Sequence, residues 1–340
     1  MSDDNSALGT MARLIKASDV PNEKRCHYRD RNGRRCKCPP IQSHTLQKEG
    51  PLRSISANGH VMKIGDELRV RLPEQQQDFV KVGLKKASAF PLFCRNHDSE
   101  LFAPIEGGEF ALDRRSILLL SIRSVAMEYY KKVRSSRIFA GLSSEEANVD
   151  PEIAKLMARG ARRGAEDGEK RIKQLFSDLH RGPHGRFCYV AARLNDTIPF
   201  AVTGAFEPEL SLAGEVLLTT DDALKGWNSL ACFIGNVGGR AHLVFAGYQK
   251  YRRHNIIKFL RSLITEDNFP VDAARAGLMF VENAYISPEY LQKMTEKDQD
   301  MLRALSECGV SFEMRGLDDL RLEMPISLPV IEEIISANLG

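Results

Sequence analysis

The sequence contains no apolar run of roughly 18 residues, the length that crosses a membrane as a helix. Its first residues, Met1 to Val20, also lack the basic segment followed by an apolar stretch that defines a secretory signal. With 43% hydrophobic and 27% charged residues, the chain still has enough apolar material for a folded core. These features predict a globular cytoplasmic protein with no membrane partner.

Several motifs that define large enzyme classes are also missing. The sequence has no GxGxxG following a predicted strand, no P-loop, no GxSxG nucleophile elbow and no HExxH pair. Nothing therefore supports a nucleotide-cofactor enzyme, a serine hydrolase or a zincin-type protease.

The cysteines favour metal ligation over disulfides. There are seven, an odd number, in a chain without a secretory signal, and four of them lie before residue 95. The other three stand alone among apolar residues, and we predict that they are buried as small hydrophobic side chains. These three are Cys188, Cys232 and Cys308.

The strongest local signal is a CxxH pair, Cys94 and His97, between a predicted strand and a predicted helix. This spacing lets a thiolate and an imidazole meet one tetrahedral zinc ion. Four upstream residues can supply the remaining ligands, and the sequence leaves open which of the last two binds: Cys26, His27, Cys36 and Cys38. Because this region has little apolar periodicity, a structural zinc ion that supplies on the order of 10 kcal/mol of folding free energy would stabilise it. We predict a zinc module that resembles the treble-clef zinc fingers.

Cations crowd around the first cysteines, although the net charge of the chain is only +3. They are Lys24, Arg25, Arg29, Arg31, Arg34, Arg35 and Lys37. Such a cluster suits the phosphates of nucleic acid, and beside a metal site we favour this over a loop that only keeps the chain soluble. The nucleic-acid contacts predicted from it are Arg29, Arg31, Arg34, Arg35 and Lys37, with DNA as the favoured partner.

Composition and periodicity divide the chain into four parts. These are a mobile arm at 1–22 with a short helix near Met11 to Lys16, the zinc module at 23–106, long helices at 107–183 and an α+β domain at 184–340. Strands in one block and helices in another indicate the α+β class, with the zinc module, a helical linker, and an antiparallel sheet flanked by helices.

Individual elements follow from apolar spacing and from glycine and proline positions. The predicted strands are 60–64, 68–72, 79–83, 90–93, 186–194, 198–206, 215–219, 229–236 and 241–248. The predicted helices are 112–134, 151–180, 252–265, 271–284, 288–307 and 328–338, with a helical turn at 52–57 and a loop at 135–150. Asn195-Asp196 and Gly238-Gly239 predict hairpin turns.

Between the two halves of the metal site, the segment Ile41-Gln42-Ser43-His44-Thr45-Leu46-Gln47 carries a lone histidine. This arrangement resembles the zinc-bound HNH endonucleases. The resemblance implies a ββα fold in which His44 is the general base that activates water, with Mg²⁺ or Mn²⁺ neutralising the leaving oxygen. It also implies that Asn58 is the middle asparagine and that Asp98 offers an oxygen to that second metal, to which Glu100 or Glu106 could contribute.

The sequence departs from the HNH pattern at two places. Ser43 stands where the family often has an acidic residue, and Glu100, Leu101 and Phe102 occupy the turn of its terminal histidine. The departures favour a non-catalytic zinc-stapled nucleic-acid-binding protein, and the retained His44 favours a metal-dependent endonuclease. The sequence does not decide whether the protein is an enzyme.

The strings Ser43-His44-Thr45-Leu46-Gln47, Ile55-Ser56-Ala57-Asn58-Gly59-His60-Val61 and Phe93-Cys94-Arg95-Asn96-His97-Asp98 are similar to uncharacterised bacterial proteins that join such a finger to an α+β region. The similarity implies a bacterial or phage setting and a role in phage defence. A third hypothesis is an adaptor for a protein partner, or a ligand sensor, that works through the C-terminal sheet.

Overall fold

The computed structural model describes residues 24–64, 79–106, 111–141, 151–182, 186–218, 226–249, 254–265, 268–308 and 322–339. In these ranges the strands are β1 (Gln42–His44), β2 (His60–Ile64), β3 (Val80–Gly83), β4 (Ala89–Pro91), β5 (Phe187–Leu194), β6 (Phe200–Phe206), β7 (Leu230–Val237), β8 (Arg240–Tyr248), β9 (Ala284–Ile286) and β10 (Ile331–Ala337). The helices are α1 (Arg95–Glu106), α2 (Arg114–Gly141), α3 (Pro151–Arg181), α4 (Asn255–Thr265), α5 (Phe269–Phe280), α6 (Pro288–Lys293) and α7 (Glu296–Cys308), with a π-helical turn at Lys48–Leu52. The predicted arm at 1–22 and the predicted strand at 68–72 lie outside the described residues.

Eight of the described strands form one antiparallel sheet in the order β10-β5-β8-β7-β6-β9-β2-β3, and β1 pairs separately with β4. Gly238 and Gly239 close the β7–β8 hairpin with φ of 59° and 80°, a conformation that glycine adopts without strain. The turn predicted at Asn195-Asp196 does not join paired strands, because β5 pairs with β8 and β10 and not with β6.

Helices cover both faces of the sheet, so its central strands are apolar almost without interruption. Every residue of β6 and β7 is buried. Along β8, Phe245 packs with Phe259 of α4 on one face, whereas Val244 belongs to the core that Ile122 of α2 helps to form on the other. The described helices include none that is long and apolar enough to span a membrane.

Helix α2 is a core element, although the sequence suggested a linker. Its residues 116–127 are all buried, between the sheet and helix α3. Helix α3 approaches α2 closely as far as Gly168, because its buried residues there are alanines and glycines. A Cβ atom at Gly164 would lie 3.3 Å from the side chain of Lys132, and one at Gly168 would lie 3.3 Å from Cβ of Tyr129. The two helices therefore form a tightly packed antiparallel pair.

The sheet crosses the boundaries drawn from the sequence between the zinc module and the C-terminal domain. Met62 of β2 pairs with Ile286 of β9, and β3 continues the sheet beyond β2. Buried polar side chains add to this junction, since Asn283 Nδ2 donates hydrogen bonds to Ser88 Oγ at 2.9 Å and to Thr45 Oγ1 at 3.3 Å.

The helix predicted at 328–338 is wrong, because residues 331–337 form β10 at the edge of the sheet. Its β-branched residues, among them Ile331, Ile334 and Ile335, suit a strand with alternating exposure. The strand pairs with β5, and Arg193 forms an ion pair with Glu333 at 2.9 Å. Tertiary pairing therefore overrides the helical spacing of the apolar residues.

Three other element predictions need correction. Residues 215–218 form no strand in the described part, and only Val216 makes an isolated bridge, to Leu210. The helix predicted at 288–307 is divided into α6 and α7, because Thr295 Oγ1 accepts the Asp298 amide and starts a new helix. The helix predicted at 271–284 ends at Phe280.

The predicted loop at 135–150 also needs correction, because α2 continues to Gly141 and residues 142–150 lie outside the described ranges. The helices predicted at 112–134 and 151–180 are confirmed as α2 and α3, and most strands lie within two residues of their predicted bounds.

Candidate metal centre

A short hairpin brings the first two cysteines together. The Cys26 amide donates to the Cys38 carbonyl at 2.8 Å, and the Cys36 amide donates to the Tyr28 carbonyl at 3.0 Å. Gly33 closes the turn with φ of 75°, which suits glycine. We call residues 26–38 the knuckle.

The second pair of ligands comes from the start of α1. Cys94 lies immediately before the helix and accepts the Asp98 amide at its carbonyl, so His97 lies one turn further on the same side. The Cys94 Sγ to His97 Nδ1 distance is 3.2 Å, and the Cys26 Sγ to His97 Nδ1 distance is 3.6 Å. The His27 amide donates to the Leu92 carbonyl at 3.0 Å, so the segment between β4 and α1 lies against the knuckle and brings both side chains to it.

Four ligand atoms meet at this place, from Cys26, Cys36, Cys94 and His97, and all lie within 4.8 Å of one another. A tetrahedral zinc ion with Zn–S of about 2.3 Å and Zn–N of about 2.0 Å has S–N edges of about 3.5 Å and S–S edges of about 3.8 Å. The two measured S–N distances agree with that geometry, so this Cys₃His cluster can hold a metal ion.

The structure separates the two upstream alternatives that the sequence left open. Cys36 belongs to the cluster, whereas Cys38 is exposed and stands outside the four. Hydrogen bonding to Cys36 raises the pKa of the Cys38 thiol. His27 is buried with its Nδ1 facing the Arg35 guanidinium at 3.1 Å, and the cluster does not include it.

Burial sets the protonation of the cluster in the absence of metal. It raises the pKa of the Cys26 thiol to about 12 and lowers the pKa of the His97 imidazole. At Cys36 burial also raises the pKa, but hydrogen bonds from Cys38 and the neighbouring thiols outweigh it and the net shift is downward. Because metals bind thiolates, metal binding must release protons from these buried thiols.

Helix α3 holds the knuckle in place. Glu169 forms an ion pair with the buried Arg29 at 2.8 Å, and His180 Nε2 donates to the Arg29 carbonyl at the same distance. Tyr28 stacks on His97 with ring centroids 3.7 Å apart and 12° between the planes. The cluster is therefore fixed against α3 as well as α1.

The predicted nucleic-acid contacts divide into two groups. Arg29 and Arg35 are engaged inside the protein, since Arg35 donates to the Cys26 carbonyl at 3.0 Å and to the Arg25 carbonyl at 2.7 Å. Arg31, Arg34 and Lys37 are exposed: Arg31 and Arg34 flank the turn at the tip of the knuckle, where Arg34 pairs with Asp30 at 2.8 Å, and Lys37 lies between Cys36 and Cys38.

His44 and Asp98, the residues assigned to catalysis by resemblance, lie close enough to influence one another electrostatically. His44 is half-buried, its Nε2 donates to the Leu84 carbonyl at 3.1 Å, and burial lowers its pKa. Burial raises the pKa of Asp98. In the described residues the Cys₃His cluster is the one metal-ligand group found, and it does not include Asp98. Asn58 lies in the exposed turn before β2.

Arg123 is a residue that the sequence analysis missed. It is buried in α2, forms an ion pair with Glu106, and its guanidinium lies 3.8 Å from Asp98 and 3.9 Å above the Phe102 ring. The available signal was that Arg123 is the one charged residue between positions 116 and 127. It supplies the positive charge beside Asp98 and Glu106.

The cysteines of the C-terminal region are as predicted where the structure describes them. Cys188 and Cys232 are buried, and the side chain of Cys308 lies outside the described residues.

Comparison with protein-family models, with curated proteins and with solved structures finds no match to this chain.

Proposed function

We propose that this protein is a zinc-stapled nucleic-acid-binding protein, with DNA as its favoured partner. The observation that carries the proposal is the Cys₃His cluster at the base of a strongly cationic knuckle. Between residues 24 and 38 the sequence has seven cations, Lys24, Arg25, Arg29, Arg31, Arg34, Arg35 and Lys37, and one acidic residue, Asp30.

The donor set supports zinc in a structural role. Three thiols and one imidazole are soft and borderline ligands that suit zinc, and four protein ligands leave no open position for substrate. A knuckle, then strands β1 to β4, then a helix with Cys94 just before it and His97 in its first turn resembles the treble-clef arrangement. We therefore propose that the module predicted at residues 23–106 is treble-clef-like.

The cations of the knuckle have two different roles in this proposal. Arg29 and Arg35 bind carbonyls and Glu169 inside the protein, so they shape the knuckle. Arg31, Arg34 and Lys37 are exposed, and their charges can reach phosphate oxygens. The metal then serves to hold an otherwise loop-like cationic surface in one conformation.

DNA binding tests the proposal. We expect purified protein to bind a duplex of arbitrary sequence, with an affinity that falls as salt rises because counterions are released. Replacing Arg31, Arg34 and Lys37 by glutamine should lower the slope of log K against log salt by about 0.9 for each lost phosphate contact. No binding to duplex DNA or RNA at low salt, with the metal in place, would overturn the proposal.

The second candidate function is an HNH-like endonuclease with His44 as the general base and Mg²⁺ or Mn²⁺ near Asp98. The electrostatic proximity of His44 and Asp98 favours it, because a base kept neutral by burial suits proton transfer. The cation of Arg123 beside Asp98 and Glu106 opposes it, since a second cation there is repelled. Plasmid cleavage with either metal, lost in His44→Ala protein that keeps its zinc, would select the endonuclease over the binding protein.

A further inference from the structure

The solvent face of α3 carries a row of cations that Glu166 interrupts. At about 100° of rotation per residue, seven cations fall within an arc of about 100°, while the buried alanines and glycines occupy the opposite side. The seven are Lys155, Arg159, Arg162, Arg163, Lys170, Lys173 and Arg181. Glu152 and Glu166 are the acidic residues in the same arc. We call this row the α3 stripe.

Three charges in the N-terminal half of the α3 stripe are not neutralised by described residues. Lys155, Lys170 and Lys173 form ion pairs with carboxylates of α3 at 2.8 to 3.4 Å. Three arginines of this half are exposed and form no ion pair with any residue that the structure describes; they are Arg159, Arg162 and Arg163. Three uncompensated guanidiniums within little more than one turn of helix form a strong site for anionic groups.

The α3 stripe leads directly to the knuckle. Its last cation, Arg181, donates to the carbonyl of Arg31 at 2.8 Å, next to the exposed tip of the knuckle. From Arg159 to Arg181 the helix rises about 33 Å at about 1.5 Å per residue. That length is close to one turn of B-form DNA, about 34 Å.

We propose that the α3 stripe is a second part of the DNA-contacting surface, along which about one turn of duplex lies with its phosphates on Arg159, Arg162 and Arg163 and its end at the knuckle. This inference rests on the proposed DNA binding and deepens it. Close packing of Gly164 and Gly168 on α2 keeps the helix rigid, so its charges stay aligned.

The chemistry of the α3 stripe favours a duplex over a single strand. Single-strand binding surfaces present aromatic rings on which bases stack. The exposed face of α3 has no aromatic residue, and its one phenylalanine, Phe176, is buried. Arginine contacts to phosphate alone give binding that is independent of base sequence.

The experiment compares three triple variants of the full chain by fluorescence anisotropy with a 16-base-pair duplex of arbitrary sequence. In the stripe variant, Arg159, Arg162 and Arg163 become glutamine; in the knuckle variant, Arg31, Arg34 and Lys37 do. In the control, three lysines on helices of the opposite layer become glutamine: Lys258, Lys293 and Lys297. Zinc content and circular dichroism of each variant are measured beside the binding.

We expect the stripe variant to lose two to three orders of magnitude in affinity at about 0.1 M salt, and its salt slope to fall by about 2.7, because three phosphate contacts are lost. The control should remain within about 2-fold of wild type. Replacement of the three stripe arginines by lysine, which keeps the charge, should retain most of the affinity. Single-stranded DNA of 16 nucleotides should bind more weakly than the duplex.

The outcomes separate the two proposals. Wild-type protein that binds no DNA defeats the proposed function and this inference together. Binding that is lost in the knuckle variant but unchanged in the folded stripe variant overturns the inference alone and leaves the proposed function standing. A single strand that binds as tightly as the duplex also overturns it.

Discussion

The buried guanidinium of Arg123 offers a quantitative test of how α1 is held against the core. It forms an ion pair with Glu106, lies 3.8 Å from Asp98 and packs over the Phe102 ring at 3.9 Å. Methionine in its place keeps the apolar length of the side chain and removes the charge. Two carboxylates then remain beside each other without a counter-charge.

Removing one partner from a buried pair costs about 3 to 5 kcal/mol in general. The Asp98 and Glu106 side chains keep 21% and 26% of their exposure, so water screens part of that loss. We expect Arg123→Met to lower the free energy of unfolding by about 2 to 4 kcal/mol, measured by urea denaturation.

Two variants make the measurement specific to the ion pair. Arg137→Met removes an exposed arginine from the same helix and should change stability by no more than about 0.5 kcal/mol. The double variant Arg123→Met with Glu106→Gln should lose less than the sum of its single variants, with a coupling energy of about 1 kcal/mol or more. If Arg123→Met is as stable as wild type, or the two changes simply add, this account of the ion pair is wrong.

Three further predictions test other parts of the structure. Cys36→Ser should lose the bound metal while Cys38→Ser keeps it, as measured by metal analysis, and equal loss in both would contradict the assigned ligand set. Gly277→Ala should cost about 1 to 3 kcal/mol in urea denaturation, because its Cβ would lie 2.4 Å from Cδ1 of the buried Ile234. The control Gly160→Ala, in open space on α3, should be neutral or stabilising. Burial lowers the pKa of His242 to about 4. In the unfolded chain this histidine has a pKa of about 6.5, so the unfolded state binds protons more readily than the folded state. The free energy of unfolding should therefore fall by about 3 kcal/mol as pH drops from about 6.5 to about 4. His242→Gln should remove this part of the pH dependence.

Local features of the metal site were accessible from the sequence. Cys94 and His97 lie three residues apart at the start of a helix, so their convergence depends on one turn of backbone. The choice between Cys36 and Cys38 was not accessible, because it depends on the register of the knuckle hairpin and on how that hairpin meets α1. The pair fixed by local spacing could be predicted, whereas the choice that depends on tertiary pairing could not.

The same distinction explains which parts of the fold could be predicted from the sequence. The apolar period of α2 and the buried strands β6 to β8 are properties of continuous segments, so they could be predicted. Strand β10 was mistaken for a helix because its isoleucines have helical spacing, and only pairing with β5 makes this segment a strand. The role of Arg123 could not be predicted, because its partners Asp98 and Glu106 lie close to it in the fold but far from it in the sequence.

The measurement that tests the central claim most directly is the metal content of protein purified without chelator, determined by mass spectrometry of the elements. The account predicts about one zinc per chain in wild type, and loss of that zinc in Cys94→Ser. Wild-type protein that is folded and contains no metal would contradict the zinc-stapled module, and with it the proposal that the cluster holds the cationic knuckle in place.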